Sequence, residues 1–157
     1  MLRVRHDDAD LDPSIARSIE SGYLAPDAFI TAMVEHRTSM SDCRNGYLLD
    51  GFPRTLVQAE SWSAILTRRD ERLDGVIVLS ASPTVLMDRL LRRGRDEGRA
   101  DDDAETIGNR LRVYENQTRP VLGYYQGRVA MHQIDASKPI DAVTDAIKSA
   151  VGSHRTR

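Results

Sequence analysis

Three short apolar runs, each fenced by turn residues and separated by helix-length amphipathic segments, constrain this chain most. Tyr47-Leu48-Leu49 follows Asn45-Gly46 and stops at Asp50-Gly51. Val76-Ile77-Val78-Leu79 follows Asp74-Gly75, and 129–134 follows Gly127 and stops at Asp135. The first two are continuous rather than alternating, the pattern of strands buried on both faces of a parallel sheet. Between them, helical spacing recurs. Phe29, Ile30, Met33 and Val34 follow Pro26, and a second helix over 55–67 carries Ala59, Trp62, Ile65 and Leu66. Ser82-Pro83 forms a cap and first turn ahead of Leu86, Leu90 and Leu91. Asp102-Asp103-Ala104-Glu105 reads as a capping box before the stripe Ile107, Leu111, Tyr114. Pro120 is expected to bend or break that helix near Arg119. Ser137 and Pro139 open a last helix whose Ile140, Val143, Ile147 and Val151 are expected to face inward. Strand, helix, strand, helix, helix, strand, helix is an α/β order with a parallel sheet. Right-handed crossovers then place all strand C-termini on one edge, where ligands bind.

A chain of 157 residues is long enough for one domain with its own core. Its 22 Lys+Arg against 24 Asp+Glu leave a net charge of −2, which excludes a generic nucleic-acid binder. Only Lys138 and Lys148 are lysines; the other basic residues are arginines, whose planar forks suit phosphate and carboxylate. The single cysteine, Cys43, can form neither an internal disulfide nor a four-cysteine zinc site. No apolar run approaches the length of a membrane span, and the first residues lack a signal-peptide core. A cytoplasmic location with no membrane partner is the expectation.

The segment with the most chemistry is 47–58. Asp50 closes an apolar run, where a carboxylate is costly unless a cation or donors meet it. Gly51 lets backbone approach a ligand closely, and Pro53 stiffens the turn. Arg54 projects from it, and Gln58, one helical turn on, can offer both a donor and an acceptor to a base edge. On physics alone the segment also reads as a strand-to-helix turn with a capping Asp. Likewise Arg89, Arg92, Arg93 and Arg95 read as a solvated helix face. His6, His36, His132 and His154 have no ligand spacing.

This segment resembles, position for position, the signature of the adenylate kinase family: three apolar residues, then Asp-Gly-Phe-Pro-Arg, three variable residues, and Gln. The resemblance continues through most of the chain: Ser21 to Asp27, Asp88 to Arg93, Gly98 to Asp102, Asn109-Arg110-Leu111 and Thr118 to Tyr125. Only residues 94–98 separate Arg93 from Arg99, as in the short-lid members. The implied fold is a P-loop-kinase-like parallel sheet with flanking helices. It would comprise monophosphate-binding helices at about 1–40, core at 41–92 and 111–157, and a short lid at 93–110.

The resemblance implies reversible phosphoryl transfer from ATP to AMP, giving two ADP, with Mg2+. Arg3 and Arg54 would grip the AMP phosphate. Tyr23, Leu24, Ala25, Gly51, Phe52 and Pro53 would line the nucleoside pocket, and Gln58 would read adenine. Arg93 and Arg99 would clamp the transferring phosphoryl, with Arg99 and Arg110 also reaching the acceptor phosphate. Asp50 would hold the hydration shell of the magnesium, with no direct metal ligand. The backbone near Lys138 would touch the ATP adenine. Arginines holding two phosphates in line, away from water, supply what phosphoryl transfer needs.

One departure is large. The family opens with a strand, a G-x-x-x-x-G-K-[ST] loop and a helix, and no such motif occurs in these residues. The only glycine pair at that spacing, Gly46 and Gly51, is followed by Phe52, and the first lysine is Lys138. The chain is therefore expected to be a truncated member, lacking the first strand, the P-loop helix and the second strand. An internal start codon, a gene remnant or a repurposed domain would each account for this. Since the family's first strand lies between those matching 47–49 and 76–79, its removal leaves open strand edges. A monomer is expected of the complete form and self-association of the shortened one. The rival readings are a non-catalytic AMP-binding module, an unfolded remnant and a UMP/CMP kinase. Gln58 favours AMP over the last, since relatives that read pyrimidines tend to carry Asn there.

Overall fold

Helix α2 (Leu56–Arg68) organises the molecule, because its apolar residues recur at helical spacing and serve two clusters at once. The computed structural model describes residues 24–97 and 104–153. In chain order the other elements are α1 (Asp27–Thr38), a 3₁₀ turn (Ser41–Cys43), β1 (Gly75–Ser80) and α3 (Pro83–Glu97). Then come α4 (Ala104–Val113), a π-helical turn (Tyr114–Thr118), α5 (Arg119–Tyr125), β2 (Ala130–Asp135) and α6 (Ile140–Gly152). Among the described residues β1 and β2 form the sheet, parallel and in register from Gly75 opposite Ala130 to Ser80 opposite Asp135.

The helix signals act as expected at most ends. Pro26 caps α1, and Ala25 beside it is buried. Thr55 caps α2 by accepting from the Gln58 backbone N–H at 3.1 Å. Ser82 caps α3 by accepting from Val85 N–H at 3.3 Å. The box at Asp102-Asp103 lies outside the described residues. The α-helix is interrupted ahead of Pro120, near Arg119 as expected. Residues 114–118 widen into a π turn, and the proline falls in the first turn of α5. The wider turn makes room for the ring and needs no N–H from it. The last helix starts at Ile140 with Pro139 as its cap, while Ser137 donates backward to Asp135 from both its N–H, at 2.9 Å, and its hydroxyl.

One cluster joins α1 to α2: Val34, Trp62, Ile65 and Leu66, with Ile30, Leu49, Phe52 and Leu73 around them. Phe52 and Tyr47 stand edge-on to Trp62 at 5.7 and 6.2 Å between ring centres. Two arginines at the end of α2 fix the end of α1. Arg69 donates to the Glu35 carbonyl at 2.7 Å and to the Thr38 hydroxyl at 3.0 Å, and Arg68 pairs with the Glu35 carboxylate at 2.6 Å. The second cluster sets Ala59, Val121 and Tyr125 against Leu73, Val76, Val129 and Met131, so it covers one sheet face. Helix α6 packs on both strands. Arg89, expected to be surface only, ties α3 to the sheet's exit loop by donating to the Ala136 carbonyl at 2.6 Å.

Four expectations are corrected. Residues 47–49 are not a strand; they have no ladder partner, Tyr47 stands against Trp62, and Leu48 is 66% exposed. A strand needs a neighbour to hydrogen-bond, and among the described residues none lies beside this segment. Nor is β1 buried on both faces: 76–78 are half-buried and Leu79 is 52% exposed. At the last helix Ile140 is 81% exposed and Val151 40%, leaving Ala150 as the buried contact. On α4 Ile107 is fully buried, but Tyr114 sits in the π turn, off the helical register, and is exposed.

Two tyrosines give this packing an alkaline limit. Burial pushes the Tyr125 hydroxyl up to about 12. No hydrogen bond within normal geometry satisfies it, and neighbouring Ser63, which weakly opposes the shift, accepts from Tyr124 at 3.1 Å and donates to the Ala59 carbonyl at 2.9 Å. Partial burial, with the bond to Glu71 at 2.7 Å, raises Tyr47 as well. Both folded values lie above the unfolded value of 10.0, so the folded state favours the protonated forms. The contribution of Tyr125 is complete below about pH 10 and is lost as pH rises through about 12, and that of Tyr47 is lost at still higher pH. Tyr125→Phe is expected to change stability at pH 7 by less than about 1 kcal/mol and to flatten the alkaline decline. Urea melts at pH 7 and above pH 10 check both.

Candidate functional site

The turn between residues 50 and 55 builds the site. Gly51 has φ +71°, a left-handed conformation that glycine takes without penalty. A Cβ there would meet the Arg54 guanidinium at 2.6 Å, because Arg54 folds back and donates from Nε to the Gly51 carbonyl at 2.7 Å. Arg54 thus does not simply project outward. Its Nε is spent on the turn, and its two Nη groups keep their donors for other partners. The Phe52–Pro53 peptide is cis.

This turn and α1 enclose a cavity of about 530 Å³, within the range of small-molecule sites. Leu24, Ala25, Ile30, Val34, Leu49 and Phe52 give it apolar walls; Asp50, Gly51 and Arg54 line it from the turn and Gln58 from α2. Arg54 stands where water reaches it, yet the surrounding walls desolvate its guanidinium and push its pKa below the ordinary value. Asp50 opposes that shift, and the positive charge of Arg110, from α4, adds to it. These three expected residues therefore lie within electrostatic reach of one another, although 56 positions separate Arg54 from Arg110 in sequence.

Gln58 is 2% exposed and its amide is heavily used. Oε1 accepts from the Arg54 backbone N–H at 2.7 Å, and Nε2 donates to Asp27 Oδ1 at 2.8 Å. Asp27 Oδ1 also accepts from the Thr55 hydroxyl at 2.9 Å. The expected free donor and acceptor on Gln58 are thus half committed; one N–H and one lone pair remain. Sequence reasoning placed Asp27 at the end of the matching stretch 21–27 without giving it a role. The available signal was its place behind Pro26 in a first helical turn.

The remaining expected residues are spread more widely. Arg93 is half-buried on α3, and Lys138 is exposed in the turn after β2, beside Asp135. Neither lines the cavity. Arg3, Tyr23 and Arg99 lie outside the described residues. No group of three or more metal-ligating side chains occurs among the described residues. No helix among them is long and apolar enough to cross a membrane.

Comparison with known proteins points to one family. The family model described as adenylate kinase matches residues 1–130. An adenylate kinase of Rhodopirellula baltica is 47% identical over 119 residues, covering 76% of this chain and 62% of its own length. One from Kocuria rhizophila is 39% identical over 145 residues, covering 92% of this chain and 77% of its own. One from Thermobifida fusca is 41% identical over 135 residues, covering 86% and 71%. With the Asp50–Gln58 turn folded around a cavity and the match running through most of the sequence, the chain belongs to the adenylate kinase family.

Proposed function

We propose that the cavity binds AMP and that the chain is the monophosphate-binding side of a kinase making two ADP from ATP and AMP. The observation that carries this reading is the clustering of Arg54, Asp50 and Arg110 near an apolar cavity lined by Gln58. Leu24, Ala25 and Phe52 provide apolar surface for a base and ribose. Arg54, its Nε anchored on Gly51, offers its Nη groups to the phosphate, and Arg110 adds a second positive charge. In the reaction an oxygen of the AMP phosphate bonds to the γ-phosphorus of ATP. The bond from that phosphorus to the β–γ bridging oxygen breaks, and ADP leaves. Arg93, Arg99 and Arg3 join this set as donors to the phosphates, and Lys138 lies against the ATP base through its backbone. Magnesium would lower the charge on the ATP phosphates. Two carboxylates line the cavity, and Asp42 is paired with Arg37, which leaves Asp50 beside Arg54; the residues fit a hydrated ion better than a protein-ligated one.

Calorimetry with AMP tests the reading. Arg54→Ala is expected to weaken AMP binding roughly 10- to 100-fold, the loss of charge-assisted hydrogen bonds to a phosphate. Adenosine, which has no phosphate, should bind both forms alike. An Arg54→Ala variant that binds AMP within threefold of the parent chain would remove the phosphate from this site.

A further inference from the structure

We infer that Asp27 is a specificity-positioning residue: by fixing which way round the Gln58 amide sits, it decides which purine the cavity accepts. The inference rests on the reading of the cavity as a nucleotide site and extends it to a residue with no direct part in binding.

A glutamine amide is pseudo-symmetric. Rotated by half a turn, it exchanges a donor for an acceptor at nearly the same place, so an unrestrained Gln58 could pair with bases of either polarity. Two neighbours forbid the rotation. The Arg54 backbone N–H can only donate, and it faces Oε1 at 2.7 Å. The Asp27 carboxylate can only accept, and it faces Nε2 at 2.8 Å. Turning the amide over would set N–H against N–H and oxygen against carboxylate, two mismatches with the side chain buried. The Thr55 hydroxyl reinforces the arrangement. Its proton goes to Asp27 at 2.9 Å, which leaves its lone pair for the Gln58 backbone N–H at 3.1 Å. Asp27 thus serves two donors at one oxygen and links α1 to the turn carrying Arg54.

The consequence is a fixed polarity. Gln58 has one N–H and one lone pair left to offer, and neither can trade places with the other. Adenine presents an amino donor at position 6 and an acceptor at N1; hypoxanthine presents the reverse, a carbonyl and an N1–H, at almost the same size. A ligand whose phosphate is held at Arg54 cannot turn its ring over to compensate. The locked amide therefore prefers the adenine pattern. Without Asp27 the amide can turn and the preference relaxes, even where overall affinity survives.

The test is calorimetric binding of AMP and IMP to the 157-residue chain, well below its melting temperature. The parent chain is expected to prefer AMP by about tenfold or more, the discrimination of a site that leaves a buried polar group unpaired with the wrong base. Asp27→Ala should bring that ratio to within about threefold, and Asp27→Asn, whose Oδ1 still accepts both bonds, should restore it. A general loosening of the fold would weaken both ligands together and leave the ratio alone. If the parent binds neither nucleotide, the proposed function itself fails. If the parent prefers AMP and Asp27→Ala prefers it equally, the function stands and the positioning role is overturned. A second measurement needs no variant. In the parent chain one Gln58 side-chain amide proton should exchange slowly with solvent; two rapidly exchanging, averaged protons overturn the proposal.

Discussion

The purified 157-residue chain, supplied with ATP, magnesium and AMP, is expected to turn over below ~0.01 s⁻¹, against ~1–100 s⁻¹ for typical kinases. The reason is in the residues it has and those it lacks. The proposed acceptor side rests on a cavity, a turn that anchors Arg54, and Arg110 within electrostatic reach. The donor side has no G-x-x-x-x-G-K-[ST] loop anywhere in the sequence. Such a loop aims a row of backbone N–H groups and a lysine at the phosphates of ATP. Without it the γ-phosphoryl is neither positioned nor neutralised, and positioning and electrostatics are nearly all of this catalysis. A coupled assay for ADP decides it. Turnover within tenfold of the kinase range would mean that another part of the chain holds ATP. A chimera carrying a strand, such a loop and a helix ahead of Met1 is expected to gain activity, and its Arg54→Ala form to lose it again.

Trp62→Ala is expected to cost about 3–5 kcal/mol of stability, enough to unfold much of the population of a domain whose whole stability is about 5–15 kcal/mol. Trp62 is 1% exposed and sits where α1, α2 and the 47–52 segment meet. Its ring takes the edges of Tyr47 and Phe52, so a void there undermines a wall of the proposed AMP cavity as well as the core. AMP affinity should therefore fall with stability. Trp62→Phe, which keeps one ring, should cost roughly half as much. Urea denaturation followed by circular dichroism measures both, since this is the chain's one tryptophan. A Trp62→Ala variant within 1 kcal/mol of the parent would show that the cluster does not hold the fold.

Local signals wrote most of the elements into the sequence. Pro26, Thr55, Ser82 and Pro139 mark helix starts because each acts on the backbone within a turn of itself. The chain order of β1, α3, α4, α5, β2 and α6 follows the same cues. The 47–49 segment was misread because an apolar run says only that a strand is favourable if a partner exists. Pairing is a property of the neighbour. Ile140 and Val151 were misread because spacing shows which residues share a helix face, while the area available to cover that face is set by the elements around it.

The Asp-Gly-Phe-Pro-Arg turn and the family it marks are fixed by residue identity at close spacing, and the sequence alone determined them. What only the tertiary structure decided is how that turn is held. Arg54 folds back on Gly51, Arg110 comes within reach from another helix, and Asp27 locks Gln58 across 31 positions. Hydrogen bonds act over about 3 Å of space whatever their separation along the chain, so such partners become visible only once α1 and α2 are packed together.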